Sequence, residues 1–121
     1  MARAAFALGL LLAAGGAWAH AHLENAQPAA GSVRTDVTEV RLAFTEALEA
    51  RLSSIRIEDR EDRAVVEPAA AADPADAKVL VVHLYEKLPP GNYTVKWVAV
   101  ASDGHRASGS YSFQVSAGPG R

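Results

Sequence analysis

Pro89-Pro90-Gly91-Asn92-Tyr93-Thr94-Val95-Lys96-Trp97 decides the fold class. Its first four residues form a turn, because proline presets φ and glycine admits the conformations a chain reversal needs. Behind the turn Tyr93, Val95 and Trp97 alternate with Thr94 and Lys96, the period of a strand with one face buried. Toward the C-terminus, Tyr111, Phe113 and Val115 alternate with Ser110, Ser112 and Gln114. Toward the N-terminus, residues 78–85 are a continuous apolar run apart from Lys78 and His83, as in a more deeply buried strand. Ile55 and Ile57 alternate with Arg56 and Glu58, and Val40, Leu42 and Phe44 share one face. A strand near Leu23 and a short one at Ala64-Val65-Val66 bring the total to about seven, at the spacing of an all-β sandwich. Glu46 to Leu52 is long enough only for a helical turn. Ala69 to Ala77, flanked and interrupted by Pro68 and Pro74, reads as a mobile connection, and Glu58 to Arg63 as a solvated hairpin turn. The expectation is a single all-β, immunoglobulin-like Greek-key β-sandwich.

A length of 121 residues allows one domain. Residues 1–19 are expected to lie outside it. Met1-Ala2-Arg3 is a short basic start, Ala4 to Ala14 is apolar, and Ala17-Trp18-Ala19 has the small-x-small form of a signal-peptidase site. The apolar run falls short of the roughly 20 residues of a spanning helix, so a cleaved export signal is favoured over an uncleaved anchor. The predicted domain is 20–117, followed by a frayed tail, 118–121. Loss of Arg3 with the signal moves the formal charge from −2 to −3, and no basic cluster points to nucleic acid or a membrane surface. Cysteine is absent and the one methionine is Met1, so the exported domain carries no sulfur. That excludes disulfides, thiol catalysis, iron–sulfur chemistry and thioether-bound Cu(I).

Cleavage after Ala19 makes His20 the first residue of the exported protein. A terminal histidine offers its α-amine and its ring Nδ1 to one metal, and neutral nitrogen donors suit Cu(II). The alternative is that cleavage happens to leave a histidine. Asp103 and His105, two apart in Ser102-Asp103-Gly104-His105, share one face of an extended segment, and Gly104 lets the backbone turn between them. Taken alone this is half a metal site or a polar turn. In an immunoglobulin-like sandwich, however, Ala101 to Ser108 joins the last two strands at the pole where the first strand starts. His20 amine, His20 Nδ1, an Asp103 oxygen and a His105 ring nitrogen would then fill the square of one Cu(II) ion per chain. His20-Ala21-His22 also offers a competing mode that needs no fold: amine, two deprotonated backbone amides and the His22 ring. The folded set is preferred because it leaves the amides to strand pairing. His22 then orients a ligand or is solvated, and Glu24 and Glu46 are candidate supporting acceptors. His83 and Trp97 read as strand and core residues.

Several blocks resemble the CopC family of periplasmic copper-resistance proteins. They are His20-Ala21-His22-Leu23 with Gln27-Pro28-Ala29, Leu42-Ala43-Phe44-Thr45-Glu46, Leu88 to Trp97, and Val100 to His105 with Gly109-Ser110-Tyr111-Ser112-Phe113. The resemblance covers nearly all of the exported chain, in order. It implies a cupredoxin-like or immunoglobulin-like β-barrel that binds Cu(II) through His20, Asp103 and His105. It also implies a periplasmic location, a role in copper sequestration, resistance or delivery, and a CopD-type inner-membrane copper protein as partner. Methionine-rich members carry a further Cu(I) segment that this chain lacks, so it resembles the branch with a Cu(II) site only. A binding protein is expected, not an enzyme, monomeric and without a membrane span once processed. Two alternatives stand beside it: a copper-dependent oxidative enzyme built on a histidine brace, disfavoured because Asp103 would fill the position oxygen needs, and a metal-free exported interaction module.

Overall fold

The computed structural model describes residues 21–118. His20, the expected export signal and residues 119–121 of the expected tail lie outside them. Among the described residues there are eight strands: β1 (Leu23–Gln27), β2 (Val33–Arg34), β3 (Glu39–Phe44), β4 (Ser54–Glu58), β5 (Ala71–Asp73), β6 (Asp76–His83), β7 (Gly91–Val100) and β8 (Arg106–Val115). They form two four-stranded sheets, ordered β1-β3-β6-β5 and β2-β8-β7-β4, and the chain crosses repeatedly between the sheets. This is the expected all-β sandwich. No helix of the described residues is long and apolar enough to cross a membrane.

The alternating residues do what their period requires. Val40, Leu42 and Phe44 of β3, Ile55 and Ile57 of β4, Tyr93, Val95 and Trp97 of β7, and Phe113 and Val115 of β8 are all buried in one core. In β6 the consecutive residues Leu80, Val81 and Val82 are all buried, which is why its sequence lacks alternation. Tyr93 donates its hydroxyl hydrogen bond to the Pro89 carbonyl at 2.6 Å, tying strand β7 to the turn that starts it. Its ring stacks on Phe113 at 5.7 Å.

Three local expectations are corrected. Ala64-Val65-Val66 is not a strand: it makes one bridge, Glu58 with Ala64, and Val66 is exposed. It covers the outer edge of β4 instead, where Val65 N–H donates to the Ile57 carbonyl and the Ile57 N–H donates to Glu67 Oε2 at 3.2 Å. Ala69 to Ala77 is not a loose connection, because β5 pairs with β6 and Arg41 clasps Asp73 across the sheet face. The hairpin turn after β4 is present, but Glu58 is buried rather than solvated, between Lys96 at 3.0 Å and Arg56 at 2.6 Å. The helical turn expected within Glu46 to Leu52 is a short 3-10 turn, Ala50–Leu52.

Candidate metal centre

One pole of the sandwich is built by the start of β1, the end of β3 and the β7–β8 connection. Strand β7 runs to Val100, and β8 begins at Arg106 with Val100 and Arg106 in register. The loop between them is closed by two backbone bonds: Ala101 N–H to the His105 carbonyl and Gly104 N–H to the Ala101 carbonyl, both 2.8 Å. Gly104 has φ +92°, a conformation that L side chains rarely adopt, so the glycine is required where the loop reverses. A turn this tight holds Asp103 and His105 on one side. The Asp103 carboxylate accepts the His105 backbone N–H at 3.0 Å and approaches His105 Nδ1 at 3.1 Å. The His105 backbone N–H and then its ring hold the Asp103 carboxyl below the ordinary carboxylate range. Both side chains are about half exposed, 47% and 55%. When Nδ1 carries the proton toward Asp103, the Nε2 lone pair is the ring's donor to a metal.

The loop is anchored on the segment that follows β3. Ser102 donates to the Ala47 carbonyl twice, from its backbone N–H at 2.9 Å and from its hydroxyl at 3.1 Å, and Leu48 bridges Ala101. Two residues earlier the same segment clasps the residue just before β1: the His22 N–H donates to Thr45 Oγ1 and the Thr45 N–H donates to the His22 carbonyl, both 2.9 Å. The N-terminal strand and the Asp103–His105 loop are therefore tied to one short stretch, Thr45 to Ala47. Ala21 is buried in the core, whereas His22 and Glu46 are exposed. Beneath this segment Phe44 meets Trp97 edge to face at 5.1 Å, and Gly109 leaves room for the indole.

Of the sequence-predicted site residues, Asp103 and His105 are brought together, and His20 lies outside the described residues. Among the described residues, no three His, Cys, Asp or Glu side chains form a metal-holding group. Two oxygen and nitrogen donors on a tight loop suit a borderline cation such as Cu(II), and they need further donors from elsewhere. His83 sits far from this pole, in register with Glu39, whose carboxylate it meets at 3.2 Å. Sequence reading missed Thr45 and Ser102. The one signal for Thr45 is that a hydroxyl follows directly where the inward alternation of β3 ends; nothing local marks Ser102 as an anchor.

The sequence profile of the CopC domain matches residues 23–116. Protein YobA of Escherichia coli strain K12 is 37% identical over 99 residues, covering 81% of this chain and 80% of its own. The crystal structure of CopC from Methylosinus trichosporium OB3b superposes with a TM-score of 0.77 at 31% identity, covering 84% of this chain and 99% of that one. PcoC, a methionine-rich copper resistance protein from Escherichia coli, superposes with a TM-score of 0.74 at 32% identity, covering 80% and 99%.

Proposed function

This chain belongs to the CopC family of periplasmic copper-binding resistance proteins, which are not enzymes, and from that premise we propose that it binds one Cu(II) ion through His20, Asp103 and His105. The observation that carries this reading is the pairing of Asp103 with His105 at the pole where the N-terminal strand starts, with both tied to Thr45 to Ala47. Export and cleavage after Ala19 would free the His20 amine, which joins its own ring nitrogen, an Asp103 oxygen and a His105 nitrogen in the equatorial square. The contact between Asp103 and His105 Nδ1 would make Nε2 the ring's donor to the metal, so the loop presents both donors already adjacent. Without methionine or cysteine in the exported domain, no soft site competes for Cu(I). The protein then sequesters Cu(II) in the periplasm or hands it on, and an inner-membrane protein of the CopD type is the acceptor that family membership suggests.

The test is a Cu(II) titration followed by electron paramagnetic resonance on three samples: protein starting at His20, the same protein with Gly placed before His20, and Asp103→Ala/His105→Ala. Loss of the tight signal on both alterations is the expected result. Tight binding retained by the double variant would remove Asp103 and His105 from the ligand set.

A further inference from the structure

We propose that Thr45 determines which coordination mode the N-terminus uses: its hydroxyl holds the His22 amide and denies Cu(II) the backbone nitrogens of His20-Ala21-His22. The inference rests on the copper-binding reading above, but its observations are independent of Asp103 and His105. A peptide beginning His-Ala-His can wrap Cu(II) in one plane through the terminal amine, the Ala21 and His22 amide nitrogens and the His22 ring. Both amide protons pass to water as the Cu–N bonds form, and no change of oxidation state is involved. That wrapping requires the His22 nitrogen to be given up by every other partner.

In the folded protein it has a partner. The β1–β3 ladder ends with Leu23 opposite Phe44, and one residue further out the backbone no longer supplies an acceptor for the His22 N–H. Thr45 Oγ1 takes that place at 2.9 Å, and the Thr45 N–H returns a bond to the His22 carbonyl at the same distance. The peptide unit on each side of His22 is thereby clasped to one residue. Ala21 is only 2% exposed and belongs to the core cluster, so the residue that supplies the other amide nitrogen is itself packed. The exposed His22 ring supplies no comparable restraint. The fold therefore suppresses the four-nitrogen peptide mode at the His22 amide, one of the nitrogens it needs. Thr45 is a positioning residue and touches no metal.

The experiment uses protein starting at His20 with Thr45 intact, Thr45→Val or Thr45→Ser, each also carrying Asp103→Ala/His105→Ala. Metal-free amide exchange is read by NMR, and Cu(II) spectra are taken at one neutral pH. Unchanged protection of the Leu42 and Val95 amides certifies an intact sandwich. Thr45→Val, which keeps the shape and removes the acceptor, is expected to speed His22 amide exchange roughly fivefold. Its Cu(II) spectrum is expected to gain a four-nitrogen component with the d–d band at higher energy, and Thr45→Ser is expected to behave as Thr45 does. The inference is overturned if Thr45→Val leaves exchange and spectrum unchanged, or if protein with Thr45 already shows the four-nitrogen spectrum. A copper signal that survives Asp103→Ala/His105→Ala without four-nitrogen character, while exchange still responds to Thr45→Val, overturns the loop reading and leaves the Thr45 inference standing.

Discussion

Gly104 carries more of the candidate centre than its missing side chain suggests. Its φ of +92° sets the reversal that lets Asp103 accept the His105 backbone N–H, and a Cβ built there meets nothing within 4 Å. The obstacle to substitution is thus conformational and not steric crowding. Gly104→Ala is expected to cost about 1–2 kcal/mol, confined to the loop, and to weaken Cu(II) binding while leaving the sandwich folded. Urea unfolding and a competitive copper titration on the same variant separate the two effects. The Asp103-Gly104-His105 pairing was legible in the sequence as a spacing, but the reversal at Gly104, not an extended segment, is what brings the two side chains together. That its loop hangs on Ala47 through Ser102 was not legible, since Ala47 offers only a backbone carbonyl and any residue type would serve.

At the scale of elements, β7 and β8 form the longest ladder, from Gly91 opposite Val115 to Val100 opposite Arg106. Gly109 faces Trp97 within it, and a Cβ there would lie 2.6 Å from indole Cζ2. Gly109→Ala is expected to destabilise by about 1–3 kcal/mol as the overpacked indole shifts, and to disturb the tryptophan fluorescence through the Phe44 contact, both read in one denaturant titration. The edge of β4 gives a second case. Glu67 Oε2 accepts the Ile57 N–H while Oε1 is buried without a partner, and burial pushes the carboxyl above the ordinary glutamate range. The folded state therefore binds that proton more tightly than the unfolded chain does. The resulting stability is present below the ordinary glutamate pKa and is lost as pH rises through the raised value. Unfolding measured in the acid range and at neutral pH should show Glu67→Gln gaining on the unaltered protein as pH rises. A constant difference would place the cost in the lost carboxylate geometry instead. The strand expected at Ala64 to Val66 failed here for a physical reason: apolar β-branched residues mark a segment that can pack, but a side-chain carboxylate substitutes for one of the ladder bonds.

For the molecule as a whole, most shifted carboxyls move the other way. Glu58 is held low by hydrogen bonds from Arg56 and then Lys96, Asp59 chiefly by the Arg63 backbone N–H, Asp73 by the Ala75 N–H and then Arg41, and Asp103 by His105. Each contributes stability that is present above the unfolded carboxylate pKa and is lost as pH falls through the lowered folded value. These contributions are therefore expected to be lost progressively as pH falls from the ordinary carboxylate range, about 4, to the lowered folded values. If copper is held by the proposed amine and imidazole donors, it is expected to leave earlier, because those donors bind a metal only as free bases. Circular dichroism and copper release followed together should show metal loss well before unfolding. Near-constant affinity from about pH 8 to about pH 5 would speak against nitrogen ligation.

What the amino-acid sequence determined by itself is the sandwich and its core faces, because period-two burial and Pro/Gly turns act within a few residues of chain. It also narrows the donor chemistry, since cysteine is absent and Met1 is the one methionine, so residues 20–117 offer imidazole and carboxylate but no sulfur. Tertiary structure decided how Glu58 is buried between two cations, why Ala64 to Val66 covers an edge without joining it, and how Thr45 and Ser102 tie two distant parts of the chain to one pole. Lys96 against Glu58, Thr45 against His22 and Ser102 against Ala47 depend on segments far apart in sequence, where a hydroxyl or a carbonyl acquires its role only from what the fold sets opposite it.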